Sequence, residues 1–393
     1  MTAKRDVTSA SVRGRRVLVR VDYNVPLTGQ GMVADDRRIV ETLPTLKHLE
    51  TEGARTILIS HLGRPDGKRD PRLSLKPVAR RLSSMLGRPV PVADDIVGIH
   101  ALEGAARLAN GDFLMLENVR FHPGEEANDP KFAAELARLG DLFVEEAFGT
   151  LHRAHASTVG VPKRLPSFAG LLVEREVREL SRLVDGPDRP YVALLGGAKV
   201  ADKLPLLASL TQRADAILIG GALAFPFLKA QGVDLGATPV EEGLDLDIRS
   251  FLAAAETAGT KVHLPVDLLY EVPGAKDAQH AEIGHPIPNG VARDIGPQTR
   301  DRFYAVLHDS RTVFWNGPLG LAEDPRFAPG TREVLAGLGQ IAGYHVAAGG
   351  DSARIAEDLG LAGSFQYIST GGGAALEFVQ GAVLPGLAVL PDA

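Results

Sequence analysis

The sequence predicts an α/β protein made of two doubly wound parallel-sheet domains joined by a hinge helix, and three observations carry that prediction. Short apolar, β-branched runs recur along the chain, each followed by a turn and a helix-like pattern, as in a parallel sheet covered on both faces. At 393 residues the chain exceeds what one hydrophobic core usually serves. A single strongly amphipathic stretch, LLVEREVRELSRLVD from Leu171 to Asp185, separates the runs into two series, with Val173, Val177, Leu180 and Val184 on one helical face. Each half is therefore expected to be Rossmann-like.

In chain order, the first series is VLVRV from Val17, TILIS from Thr56, FLML from Phe113 and LFV from Leu142, which defines a domain over 1–170. The linker helix spans 171–187 and ends in the turn GPDRP, Gly186 to Pro190. The second series is YVALL from Tyr191, AILIG from Ala216, KVHLPV from Lys261, TVFWN from Thr312, HVAA from His345 and QYIS from Gln366, a domain over 188–375. The closing stretch VLPGLAVLPDA is apolar and broken by proline. The tail 376–393 is therefore expected to lie back on the first domain instead of hanging in water.

Composition narrows the function classes. With 43 basic against 49 acidic residues the net charge is −6, which gives no bulk electrostatic case for nucleic acid or an anionic membrane as partner. The absence of cysteine excludes disulfides, thiolate metal sites and a cysteine nucleophile, and suits a reducing cytoplasm. The opening MTAKRDVTSASVRGRR has no apolar signal core, and no uninterrupted apolar span is long enough for a bilayer, so neither secretion nor insertion is expected.

In an open parallel sheet, ligands sit outside the carboxyl ends of the strands. In the first half those ends are basic. RVDYNVP supplies Arg20, Asp22 and Asn24; SHLGRP supplies His61 and Arg64; ENVRFH supplies Arg120 and His122; AFGTLHRAHAS supplies His152, Arg153 and His155; and Arg37 and Arg38 open a helix between the first two runs. One arginine at a strand end reads as a surface ion pair. Four ends of one sign in a chain of net negative charge read as a site whose repulsion an anion relieves. Guanidinium groups bind phosphate and carboxylate in bidentate fashion, so the expected ligand is a small phosphorylated carboxylic acid, with Asp22 and Asn24 accepting from its hydroxyls. For His122, His152 and His155, packing and ligand contact both remain open. No metalloprotease spacing or protein-only metal cage is present.

The second half ends its strands in glycine. YVALLGGAKVADK, Tyr191 to Lys203, breaks at Gly196 and Gly197 and continues with Lys199 and Lys203, a combination suited to phosphate. Gly220-Gly221, Gly317-Pro318, Gly349-Gly350-Asp351-Ser352 and Gly371-Gly372-Gly373 follow other runs. Neither GxxxxGK[ST] nor GxGxxG occurs. Asp351 reads either as a carboxylate for Mg²⁺ already bound to phosphates or as a helix N-cap. Glu323 is placed to accept from a ribose.

RVDYNVP, SHLGRP, ENVRFH, AFGTLHRAHAS, LGGAKVADK, WNGPLG, AAGGDSA and STGGGAALE, in this order, resemble the signature segments of the phosphoglycerate kinase family. The resemblance runs from about Val17 to the end of the chain. It implies a cytoplasmic, monomeric glycolytic enzyme that moves a phosphoryl group between 1,3-bisphosphoglycerate with MgADP and 3-phosphoglycerate with MgATP, by direct in-line transfer with closure about the hinge helix. It implies acid-binding roles for Asp22, Tyr23, Asn24, Arg38, His61, Leu62, Gly63, Arg64, Arg120 and Arg153. Nucleotide contacts fall on Lys203, Glu323, Gly349, Gly350, Asp351 and Ser352, with Asp351 toward Mg²⁺. Arg38, Lys199, Gly371, Gly372 and Gly373 surround the group in flight. Two segments depart from the family pattern. Its Asn-Asp before AFG is Glu145-Glu146 here, which alters the charge near Arg153, and its VGVFE is LGLAE, which alters adenine packing while keeping Glu323. A two-lobed anion receptor would leave Lys199 and the glycine triplet idle, and a dinucleotide oxidoreductase would need the missing GxGxxG.

Overall fold

The computed structural model describes residues 3–287 and 289–393. The chain forms two compact units, Met1–Glu179 with Val383–Ala393, and Leu180–Ala382. In the first, β1 (Arg16–Arg20), β2 (Arg55–Ile59), β3 (Phe113–Met115), β4 (Leu142–Glu145) and β5 (Ser167–Ala169) make one sheet in the order β3-β2-β1-β4-β5, with every pair parallel. The apolar runs are continuous because both faces are covered. Val17 and Val19 of β1 point into one buried cluster and Leu18 into another, while Ile57 and Ile59 of β2 join Leu18 and Leu58 joins the valines.

The second unit contains β6 (Tyr191–Leu195), β7 (Ala216–Ile219), β8 (Lys261–His263), β9 (Asp267–Glu271), β10 (Gln279–Glu282), β11 (Val291–Ile295), β12 (Thr312–Asn316), β13 (Tyr344–Ala347) and β14 (Tyr367–Ile368). Six form a parallel sheet in the order β14-β13-β12-β6-β7-β8, and the other three an antiparallel sheet, β10-β9-β11. The order places β6 and β12 at the centre. Their carboxyl ends, Gly196 and Gly317, meet so closely that a Cβ on Gly196 would lie 2.0 Å from the carbonyl oxygen of Pro318.

The helix Leu171–Val184 carries the unit boundary between Glu179 and Leu180. Its buried face is Leu172, Val173, Glu176, Val177, Leu180 and Leu183; Val184 is only half-buried. The stretch that returns to the first unit begins at Val383, later than the expected 376. Residues 376–382 stay with the second unit because the helix Gly373–Val379 ends against Leu204–Leu210: Ser209 Oγ donates to Gln380 O at 3.0 Å and Arg213 Nη1 to Val379 O at 3.2 Å. Past it, Gly386 N donates to Leu151 O and Ala393 N to Ala3 O, both at 2.9 Å, and Lys4 Nζ pairs with Asp392 at 2.7 Å. No helix among the described residues is long and apolar enough to cross a membrane.

Candidate active site

The first unit gathers its cations around β1. Arg20, the last residue of that strand, is 1% exposed. Its Nε donates to Ser157 Oγ at 2.8 Å, Nη1 to Val21 O, and Nη2 to His61 Nδ1 at 3.2 Å. A guanidinium can only donate, so Nδ1 accepts and the His61 proton sits on Nε2. Burial, with Arg20, Arg120 and Arg38 nearby, holds the imidazole well below its ordinary pKa. His61 is thus a neutral donor.

Arg38, in the short helix Arg37–Val40, donates from Nη1 to Asp22 Oδ2 at 2.6 Å. Arg120 is nearly buried: Nη1 donates to Gly63 O at 2.9 Å and Nε lies 3.1 Å from Glu126. The loop after β2 is fixed by two asparagines. Asn24 Oδ1 accepts from Gly63 N at 2.9 Å, and Asn118 accepts from Arg120 N while donating to Leu62 O at 2.7 Å. Gly63 has φ +64°, and a Cβ there would meet Leu73 at 2.7 Å. Arg64 and Arg153 are exposed, and neither has an ion-pair partner among the described residues. Burial depresses Arg120, and Arg20 and Arg153 add to that effect by repulsion. The result is a positive surface with two unpaired guanidiniums, which an anion would relieve.

Other residues serve the scaffold. Tyr23 and Leu62 are buried in the core of the first unit, and the Tyr23 hydroxyl is 2.7 Å from Thr42 Oγ1. His122 accepts from Gly124 N at 3.0 Å and stacks on Phe132 at 4.0 Å, which settles it as packing. Burial and the Arg120 and Arg20 charges push His155 down to about 4. Glu145 is paired in register with Arg20, so the charge it faces is Arg20 and not Arg153. Both Glu145 and Glu146 are fully buried, and burial pushes each up to about 8.

In the second unit the glycine turns build a cradle. Gly197, at φ +100°, donates its N–H to Pro318 O at 2.8 Å. Lys203 lies beneath, donating to Gly196 O and to Asn316 O at 3.3 Å, and burial pushes its pKa down to about 8. Beside the turn opens a cavity of about 920 Å³ that brings together Lys199, Glu323 and Asp351, walled by Thr238, Val240 and Leu321. Lys199 is exposed and has no partner among the described residues. Glu323 is 3.3 Å from Arg354 Nη2.

Asp351 sits in the first turn of the helix Gly350–Asp358, whose N-cap is Gly349, so the alternative of an Asp351 cap is excluded. Ser352 is buried and its Oγ accepts from Gly317 N at 2.8 Å, leaving it a structural tie between β12 and that helix. Gly349, at φ +102°, packs so that a Cβ would fall 2.5 Å from Asn316 Nδ2. Gly371, Gly372 and Gly373 follow β14 and lead into the helix Gly373–Val379, outside this cavity. Among the described residues no three His, Cys, Asp or Glu side chains form a metal cage. A lone carboxylate such as Asp351 fits an ion whose other ligands are phosphate oxygens.

Sequence reasoning did not single out Arg20 as an organiser, although a charge inside the run VLVRV was the available signal. It also missed the wall over 238–240, in the loop before the helix Asp245–Ala258, and over 291–293, in β11 of the antiparallel sheet.

Comparison with known proteins shows what this arrangement is similar to. The family model described as phosphoglycerate kinase matches residues 7–382. A phosphoglycerate kinase of Coprothermobacter proteolyticus is 46% identical over 386 residues, covering 98% of each chain. One from Synechococcus elongatus is 47% identical over 394 residues, again with 98% of each covered. The solved phosphoglycerate kinase structure from Coxiella burnetii superposes with a TM-score of 0.89 at 35% identity, and that from Pyrococcus horikoshii with 0.82 at 30%, each covering 98% of both chains.

Proposed function

Because the chain belongs to the phosphoglycerate kinase family, and so catalyses reversible phosphoryl transfer between 1,3-bisphosphoglycerate with ADP and 3-phosphoglycerate with ATP, we propose how its residues divide that work. The observation that carries the proposal is the convergence of an unpaired ammonium, Lys199, with Glu323 and Asp351 on one cavity beside the Gly196-Gly197 turn. That cavity holds the nucleotide. Glu323 accepts from the ribose, Lys203 and the amides of Gly349 and Gly350 at the start of the helix Gly350–Asp358 take the phosphates, and Asp351 offers a carboxylate to the Mg²⁺ that arrives as part of the nucleotide substrate.

The acid is held by Arg64, Arg120 and Arg153, with the His61 Nε2–H and Asn24 oriented toward its oxygens and Asp22 fixing Arg38. The nucleophile in the ATP-consuming direction is the carboxylate of 3-phosphoglycerate, ionised at neutral pH. No general base is needed, which agrees with a neutral His61. A loose phosphoryl transition state spreads charge over three equatorial oxygens. Arg38, Lys199 and the amides of Gly371 to Gly373 are assigned to that charge. Mg²⁺ bound to the nucleotide neutralises phosphate charge. The enzyme acts as a cytoplasmic monomer, a reading supported by the cysteine-free composition and the family.

The test is a coupled assay of ATP-dependent 3-phosphoglycerate consumption, paired with MgADP titration. Lys199→Ala and Arg38→Ala should each lower kcat by about a hundredfold or more while MgADP affinity changes by less than about threefold. Parallel losses in turnover and affinity would count against the assignment.

A further inference from the structure

Asp294 lies behind the nucleotide cavity, 1% exposed, and no step of the reaction uses it. It sits in β11 at an irregularity between Ala292 and Asp294, where the strand's pairing with β9 shifts. Its two carboxylate oxygens are both engaged with backbone. Oδ1 accepts from Ile295 N at 2.8 Å and Oδ2 from Gly330 N at 2.7 Å. Gly330 is in the first turn of the helix Pro329–Leu338, whose own N-cap position, Ala328, has no side chain able to cap. The cap comes instead from a different strand.

The segment between β12 and that helix is the one that carries Gly320, Leu321 and Glu323 into the cavity. Asp294 forms an isolated antiparallel bridge with Gly320, and Leu321 N donates to Arg293 O at 3.0 Å. A Cβ on Gly320 or on Gly330 would come within 2.1 Å of Asp294 Oδ1, so both glycines leave room for this one carboxyl. A second tie closes the other side: Thr331 Oγ1 accepts from Leu319 N at 2.9 Å.

We infer that Asp294 is a positioning residue for nucleotide binding: its carboxyl ties β11 to the start of the helix Pro329–Leu338, where the Gly317–Ala328 loop ends, and so fixes where Leu321 and Glu323 stand against the nucleoside. The inference rests on the reading of this cavity as the nucleotide site. Asparagine at 294 keeps the shape but has one oxygen for two N–H donors, so either Ile295 N or Gly330 N would face an amide that also donates. Leaving one buried donor unmet loosens the loop at the wall and leaves the phosphate side of the cavity, at Lys203 and the start of the helix Gly350–Asp358, in place.

The test is initial-rate kinetics on full-length Asp294→Asn with each substrate varied at saturation of the other, alongside thermal unfolding. The expected result is a rise of about tenfold in KM for MgATP, from a loop that has lost one buried hydrogen bond, with KM for 3-phosphoglycerate within about twofold and kcat changed far less than KM. A folded variant with unchanged KM for MgATP overturns the inference, as does an equal loss in all three constants. If Asp294→Asn does not fold, Thr331→Val removes the second tie and decides: a selective rise in KM for MgATP supports the lock, and no rise overturns it. Glu323→Ala is the control for the site itself. If it raises KM for MgATP while the Asp294 and Thr331 variants do not, the cavity reading stands and only the lock fails. If it too has no effect, the cavity reading fails.

Discussion

At Lys203 the cost of holding a cation away from water shows in its acidity: burial brings its pKa from 10.5 down to about 8, against the pull of Asp351. In the free protein the amine therefore loses its proton as pH rises through about 8. A polyphosphate beside it favours the ammonium form, so nucleotide binding near pH 8 takes up a proton and binding near about pH 6 does not. Isothermal titration of MgADP in buffers of different ionisation enthalpy checks this: the apparent enthalpy should follow the buffer at the higher pH alone. Glu145 gives the opposite case. Its folded pKa is raised from 4.5 to about 8 by burial, against the pull of Arg20, with Glu125 and Asp22 raising it further. The folded state then binds more protons than the unfolded one between those values, so this group's contribution to stability is full below about 4.5 and lost as pH rises through about 8. Glu145→Gln should flatten the fall of Tm over that window, and a variant curve parallel to the parent's would contradict it. The strand-end arginines, Arg20 among them, were legible because position and sign alone identify them. That Arg20 reaches Ser157 and Asp294 reaches Gly330 was not, since nothing in their own neighbourhood of sequence names those distant partners.

Helices in this protein are repeatedly capped by carboxylates from other elements. Glu146, just past β4, accepts from Leu172 N at the start of Leu171–Val184, at 3.2 and 3.1 Å. Asp267 on β9 accepts from Gln298 N and Thr299 N at the start of Pro297–His308, at 3.0 and 2.8 Å. Nearer in sequence, Asp95 caps Ile99–Arg107 from the loop just before it, accepting from Ala101 N at 2.8 Å. A helix end leaves several N–H groups without partners, and where the capping carboxyl is ionised it also meets the positive end of the helix dipole. Glu146→Ala should therefore cost about 1–3 kcal/mol of stability, read from the urea midpoint. A midpoint unchanged from the parent would show that water replaces the cap. These remote caps explain what the sequence hides at this scale. Local cap signatures look three residues ahead, whereas Glu146 reaches Leu172. The four strands that went unread have local causes: β5 has only three residues, β10, QHAE, is mostly exposed, and β9 and β11 mix charged residues with apolar ones, so none shows a clean apolar run. Of the ten runs that were read, eight coincide with strands buried over nearly their whole length, which keeps the apolar run continuous, while β8 and β14 are only partly covered.

For the molecule as a whole, the returning stretch Val383–Ala393 is the segment whose removal is most informative. Leu384, Leu387 and Leu390 are buried there, each worth about 2 kcal/mol of apolar burial. Deleting 383–393 should destabilise the first unit by about 5 kcal/mol. Hydrogen exchange checks it: protection should be lost around Leu151 and in the turn Ala156–Gly160 beside it, while the β6 and β12 amides of the second unit keep theirs. Uniform loss in both units would mean that they unfold as one.

That same stretch sets an order of events during synthesis. The strands of the first unit leave the ribosome early, yet the residues that complete its surface, Val383–Ala393, are made only after the whole of the second unit. The second unit, continuous in the chain, has all its parts first. A nascent chain stalled just short of Val383 should accordingly carry a finished second unit and an N-terminal unit still open to protease.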